Sequence, residues 1–288
     1  MIPSLPRPRW LRTATGMYLA LFFTFLFLPL LVVGIFAFND APYPAPPWRG
    51  FTLDWFLGNA RGGRVGLFGD SELLGGIWTS CVVASWVTAL SVLIGTSNAF
   101  LIERSRFFGK QALSILMLAP LVIPGVILGI SILAFASRVA EFIDDAFGLD
   151  LDLLRPGLPL VVCGQFSFIA TIATLTISAR LRRFDRTLEE AALNLGASRI
   201  AVLRTIVLPY LRPALLGSAA ISFLMSFADF NTTLMLVGAD APLTVMMYGR
   251  MREGASPALN AVSLFLMLAS ALLALTFMRG GSRRRAPP

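Results

Sequence analysis

The chain has 288 residues, of which 56% are hydrophobic and 14% are charged, and its mean hydropathy is +0.76. A soluble domain of this length does not bury so many apolar side chains, so the composition predicts an integral membrane protein and argues against a soluble enzyme. Histidine is absent, and the two cysteines both lie in apolar runs, which argues against a zinc site, a Cys/His nucleophile or a disulfide framework.

Six apolar runs are long enough to cross a bilayer, whose core of roughly 30 Å needs about 20 residues of helix. These runs are 16–38, 77–101, 112–136, 157–178, 214–238 and 258–278. We therefore expect an all-α integral membrane protein with six transmembrane helices. Its predicted parts are an N-terminal segment at 1–15, one transmembrane domain at 16–278 and a basic tail at 279–288.

Basic residues predict the orientation of the spans, because cytoplasmic loops are enriched in Lys and Arg. Most of the 24 lysines and arginines fall in the N-terminal segment, in the loops 102–111 and 179–213, and in the tail. Both termini are therefore expected on the cytoplasmic side of the membrane. The net charge of +8 then reflects membrane topology rather than binding to nucleic acid.

Prolines and glycines mark two irregular regions. The outer connection 39–76 begins with NDAPYPAPPWRG, and we expect it to contain one short helix near the sequence FTLDWFLG. The third predicted span contains Pro120, Pro124, Gly125 and Gly129. This pattern predicts a kinked helix that packs closely against its neighbours.

The loop 179–213 carries helical signals although it lies between two apolar runs. Thr187 and Glu190 form a capping-box pattern, and apolar residues at helical spacing predict a short helix over 188–195. Gly196 should end this helix, because glycine enters the left-handed conformation at little cost.

A second helical piece is predicted over 198–207, followed by Leu208 and Pro209. A proline at this point should redirect the chain sharply into the next span. The loop is thus expected to form a helix-turn-helix elbow beneath the membrane.

These residues carry a resemblance to a known family. The pattern consists of Glu190-Ala191-Ala192, three residues, Gly196, nine residues and Ile206-Val207-Leu208-Pro209. It resembles the EAA loop of the type I inner-membrane permease subunits of bacterial ABC importers. The stretches LAPLVIPGVILGISIL, SFADFNTTLMLVG and YGRMREGASPALNAVSLFL are similar to the spermidine/putrescine branch of that family.

The resemblance implies that the short helix before the glycine docks into a groove on an ATPase subunit. The residues then implied in coupling to the ATPase are Glu190, Ala191, Ala192, Gly196, Ala197, Ile206, Leu208 and Pro209. The implied partners are two copies of the ATPase, a second permease subunit in a heterodimer and a periplasmic substrate-binding protein. The implied location of this chain is the bacterial inner membrane.

No site for ATP is expected in this chain itself. A P-loop needs the pattern GxxxxGK[ST], but Lys110 is the only lysine and Gln111 follows it. We therefore expect a transport subunit rather than an enzyme, with no cofactor of its own and with ATP bound by the partner.

Asp229 is the one acidic residue well inside a predicted span. Ionisable groups at membrane depth are costly and usually functional. With Asn231, Thr232 or Thr233 nearby, and with Gln165 on another span, it is expected to line a polar pathway that attracts a cation. The alternative is a hydrogen bond between helices or a contact with the second permease subunit.

The resulting functional hypothesis is a permease of an ATP-driven importer for polyamines or a related small cation. Ferric iron, phosphonate, an opine or another small solute remain alternative substrates. A secondary transporter without an ATPase is the alternative from another class, and inverted repeats with half-helices would favour it.

Overall fold

A computed structural model describes residues 9–59, 63–254 and 256–282 of the chain. The predicted N-terminal segment and basic tail therefore lie partly outside the described residues. The α-helices of the described part are α1 (Arg9–Phe36), α2 (Asp54–Leu57), α3 (Ser71–Arg104), α4 (Lys110–Val122), α5 (Gly125–Phe147), α6 (Leu158–Leu181), α7 (Thr187–Asn194), α8 (Arg199–Val202), α9 (Leu208–Ala228), α10 (Asn231–Leu236), α11 (Leu243–Glu253) and α12 (Pro257–Ser282). A π-helical segment, Leu203–Val207, joins α8 to α9.

Five helices of the described part are long and apolar enough to cross a membrane. They are Trp10–Phe36, Ser71–Arg104, Gly125–Phe147, Leu158–Leu181 and Arg199–Ala228. Two further apolar helices, Lys110–Val122 and Pro257–Leu272, are shorter. An all-helical membrane protein is confirmed, whereas the total of six spans stays a prediction.

The third predicted span is two helices rather than one kinked helix. It is interrupted between α4 and α5, where Ile123 is extended with φ −73° and ψ 130°. Pro124 causes the break, since its ring disfavours a helical conformation for the residue before it and it has no N–H to donate. Apolarity continues through the break, which is why the run 112–136 appeared continuous.

The fifth predicted span, 214–238, is also interrupted. Helix α9 ends at Ala228, Asp229 is extended with ψ 124°, and α10 begins at Asn231. The short helix α10 then packs closely against α5. A Cβ atom added to Gly129 would lie 2.8 Å from the Cβ of Met235, so only glycine fits at this crossing.

Contacts within the chain define two compact units. The first contains the described residues up to Ser71 together with those of Arg250–Ala269. Within it, the fully buried Asn39 holds residues 39–55 together: its Oδ1 accepts the N–H of Arg49 at 2.9 Å, and its carbonyl accepts the indole N–H of Trp55 at 2.9 Å. Trp55 belongs to α2, which is the short helix predicted near FTLDWFLG.

Of the described residues, the second unit contains Glu72–Gly249 and those from Ser270 to Ser282. Its buried apolar cluster draws on α3, α5, α6 and α10, and comprises Val83, Val87, Ala136, Leu160, Val161, Ile169 and Leu236. Helix α6 is central to it, because side chains around its whole circumference are buried. Such a helix positions the polar residue Gln165 deep inside the unit.

Candidate functional site

Helix α7 lies in the segment that connects α6 to α9, and most of its residues are exposed. No side chain of α7 is fully buried, and Glu190 and Ala191 are exposed. Leu195, which follows the helix, is 89% exposed. An exposed helix with small and apolar side chains offers a surface for close contact with another protein.

Helix α7 begins with a different cap from the one predicted. Thr187 is the first helical residue, so it does not act as the N-cap of a capping box with Glu190. Instead, the carboxylate of Asp185 accepts hydrogen bonds from the backbone N–H of Thr187 at 3.0 Å and from the hydroxyl of Thr187 at 2.8 Å. These two hydrogen bonds lower the pKa of Asp185, because they stabilise its ionised form.

Gly196 ends α7 as predicted. Its φ angle is +88°, and no atom beyond its neighbours lies near the position of a Cβ. The N–H of Ala197 then bonds to the carbonyl of Ala192 at 3.0 Å, which closes the helix end. Ser198 caps the next helix by accepting the N–H of Ala201 at 3.2 Å.

The predicted sharp redirection at Pro209 is wrong. Helix α8, the π-helical segment and α9 form one continuous helical path, Arg199–Ala228. The N–H of Leu208 bonds to the carbonyl of Leu203, five residues back. A proline ring in an ordinary helix collides with the carbonyl four residues before it, and the wider π turn avoids that collision.

The remaining motif residues fall into a partly buried set and an exposed set. Ala192, Ala197 and Ile206 are partly buried and pack against an apolar cluster at the base of the segment. That cluster comprises Leu181, Phe184, Val202, Val207 and Leu211. Leu208 is half-buried and Pro209 is exposed. The inward-facing residues thus hold the segment in place, while the exposed ones remain accessible.

One ion pair that anchors α7 has no signal in the sequence. Arg104, at the end of α3, donates from both terminal nitrogens to the two carboxylate oxygens of Glu189, at 3.1 Å and 2.5 Å. The two residues are 85 positions apart. No local pattern links residues at such a separation, so this contact is visible only in the folded chain.

A second group of polar residues lies where α9 gives way to α10. Ser226 donates to the Oε1 atom of Gln165, and the Nε2 atom of Gln165 donates to the hydroxyl of Thr233 at 2.8 Å. Thr233 in turn donates to Asp229 through its hydroxyl at 2.9 Å and through its backbone N–H at 3.0 Å. We call Ser226, Gln165, Thr233 and Asp229 the polar cluster.

The polar cluster contains some of the residues that were predicted to line the substrate pathway. Gln165 and Thr233 are fully buried, whereas Asp229 is half-buried. Asn231 is exposed, and Thr232 is buried with a hydroxyl that makes no hydrogen bond within the described part of the chain. Ser226 was not among the predicted residues, although it lies one helical turn before Asp229.

These features define a class of protein. Several membrane-length helices, a buried polar cluster at a helix break and an exposed polar connecting segment are the elements of a membrane transport subunit. Residues 91–281 match the family described as "Binding-protein-dependent transport system inner membrane component". The match covers most of the chain, and the chain belongs to this family of bacterial inner-membrane permease components.

Curated relatives and a solved structure agree with this assignment. The chain is 29% identical over 251 residues to the putrescine transport system permease protein PotI of Escherichia coli (strain K12), covering 86% of this chain and 84% of that protein. It is 27% identical over 252 residues to the spermidine/putrescine transport system permease protein PotC of Haemophilus influenzae, covering 87% and 90%.

The fold is similar to that of a crystal structure of a bacterial ABC transporter involved in the import of the acidic polysaccharide alginate. The TM-score is 0.77, the sequence identity is 17%, and 96% of each chain is covered. The expected permease fold is therefore confirmed along nearly the whole chain.

Proposed function

We propose that this chain is the permease subunit of an ATP-driven importer that carries polyamines, such as putrescine or spermidine, or a related small cation. The relatives PotI and PotC, which match across most of the chain, support the substrate class. The polar cluster supports it chemically, because the carboxylate of Asp229 attracts a cation at the depth where the pathway crosses the membrane.

One observation carries the mechanism. The continuous helix Arg199–Ala228 begins three residues after Gly196 and ends next to Asp229. Its 30 residues span about 45 Å at 1.5 Å per residue. A displacement of the connecting segment would therefore pass along one helical path to the polar cluster, which lies at the break between α9 and α10.

We propose the partners that the family resemblance implies. One of the two ATPase copies docks on the exposed face of α7, with Glu190, Ala191 and Gly196 in the contact. A second permease subunit completes the pathway as a heterodimer, and a periplasmic binding protein delivers the substrate. Both termini lie in the cytoplasm, as the distribution of basic residues indicates.

The coupling role is tested with two matched glycine variants. Gly196 and Gly148 both end helices with positive φ angles, +88° and +62°, and both have open space around the Cβ position. Gly196→Asp and Gly148→Asp therefore introduce similar backbone strain, of about 1–2 kcal/mol. Only the first places a charge in the proposed ATPase contact.

The measurement is co-purification of each tagged chain in mild detergent, with mass spectrometry of the bound proteins. We expect the wild type and Gly148→Asp to retain an ATPase and a second permease, and Gly196→Asp to lose the ATPase alone. Equal retention by both variants would contradict docking at this segment.

A further inference from the structure

The adjacent residues Glu189 and Glu190 have different environments. The side chain of Glu189 is 23% exposed and is engaged by Arg104, whereas Glu190 is exposed. Consecutive residues on a helix point about 100° apart, so one glutamate faces the protein and the other faces outward. Glu189 is therefore not available to an ATPase in the way that Glu190 is.

The contact between Arg104 and Glu189 is geometrically restrictive. Two parallel hydrogen bonds from one guanidinium to one carboxylate fix both the distance and the orientation of the groups. The side chain of Arg104 is only 20% exposed, so solvent screens the pair less than it screens an open surface pair. The end of α3 and the first turn of α7 are thus held in one relative arrangement.

Arg104 is itself held by an aromatic stack. Its guanidinium lies over the ring of Phe184 at 5.5 Å, and Phe184 contacts Tyr210 edge-on at 4.9 Å. Arg180 covers the ring of Tyr210 at 4.4 Å and also donates to the carbonyl of Tyr210 at 3.3 Å. These contacts join the ends of α3 and α6 to the start of α9.

We infer that the Arg104–Glu189 pair is a positioning clamp, which sets the orientation of α7 and passes its movement to α3 as well as to α9. This inference rests on the proposed function, since it assumes that α7 receives the movement of an ATPase. Both side chains are mostly buried and engage each other, so we assign them a role through α7 rather than through direct contact with the ATPase or the substrate. Each acts through α7, so loss of the pair uncouples ATP hydrolysis from transport without abolishing assembly.

A neighbouring ion pair supplies the matched control. Arg182 donates to Glu103 at 2.8 Å, which links the end of α6 to the end of α3 without involving α7. The side chain of Arg182 is 66% exposed. Exposed pairs of this kind contribute little to stability, so Arg182→Ala should leave coupling unchanged.

The experiment uses the full chain, co-expressed with its ATPase and second permease and reconstituted in liposomes. The variants are Glu189→Gln, Arg104→Glu and the swap Arg104→Glu/Glu189→Arg. We expect the ATPase to co-purify with all of them. Putrescine uptake per ATP hydrolysed should fall roughly fivefold in each single variant, within the usual range of coupling effects, and should recover by at least half in the swap.

Hydrogen exchange of the α7 amides gives a readout that does not depend on transport. It should accelerate in Glu189→Gln and return towards the wild-type rate in the swap, whereas Arg182→Ala should not change it. Wild-type uptake per ATP in both single variants would overturn the clamp. A swap that recovers neither uptake nor exchange protection would overturn it as well, because the loss would then not come from this pair.

The outcome also separates this inference from the proposed function. If no ATPase co-purifies with the wild type, the proposed function fails and the clamp fails with it. If the ATPase binds and the single variants remain fully coupled, only the clamp fails.

Discussion

Asp229 is the residue on which the substrate proposal depends most directly. Its carboxylate accepts two hydrogen bonds from Thr233, and one oxygen of an asparagine side chain can accept the same bonds. Asp229→Asn therefore removes the charge while preserving the start of α10. We expect uptake of a cationic substrate to fall roughly tenfold, which corresponds to ~1.4 kcal/mol, with assembly intact.

Asp240 provides the control for this substitution. It is exposed in the turn between α10 and α11, so Asp240→Asn removes the same charge away from the polar cluster. Uptake should then match the wild type. Equal uptake by the Asp229 and Asp240 variants would show that the carboxylate of Asp229 has no role in attracting the substrate.

Single residues differed in how far the sequence revealed their roles. Asp229 and Gln165 stand out because polar side chains are costly in an apolar run. Gly196 stands out because its spacing from the preceding helix predicts a left-handed residue. Glu189 and Arg104 could not be paired in this way, since their contact depends on how the ends of α3 and α7 meet.

Among the helices, the close contact between α5 and α10 can be tested by substitution. A Cβ on Gly129 would lie 2.8 Å from the Cβ of Met235 and 3.1 Å from the carbonyl oxygen of Thr232. Gly129→Ala should therefore destabilise the protein by about 1–3 kcal/mol, because backbone atoms cannot yield as a flexible side chain can. Thermal unfolding in detergent would measure the shift.

Gly217 is the matching position on α9, where a Cβ would meet no atom within 4 Å. Gly217→Ala should raise stability by roughly 0.5–1 kcal/mol, because alanine is the better helix former. If the Gly129 variant unfolds at the same temperature as the Gly217 variant, the close approach of α5 and α10 is not as described.

The apolar pattern located the helices better than it located their breaks. Hydropathy reports which segments avoid water, but it is unchanged where a helix stops and another begins inside the same apolar run. Pro124 marked one break, although a kink was expected instead. The break at Asp229 had no comparable signal, and Pro209 predicted a redirection of the chain rather than the π turn that precedes it.

At the scale of the whole molecule, family and fold were predictable because the EAA pattern combines fixed spacing with a defined place between apolar runs. The match over residues 91–281 confirms that prediction. What the sequence did not show is how the parts are connected. The continuous helix Arg199–Ala228 connects the segment between α6 and α9 directly to α9, and the Arg104–Glu189 pair connects it to the end of α3.

ATP-driven import by this chain can be tested in proteoliposomes that contain the chain, its co-purifying ATPase and second permease, with the binding protein added on the outer side. We predict saturable uptake of labelled putrescine that requires ATP enclosed in the vesicle, on the side of the ATPase. Competing spermidine should reduce this uptake. Accumulation driven by an ion gradient in the absence of ATP would rule out an ATP-driven importer and would identify a secondary transporter instead.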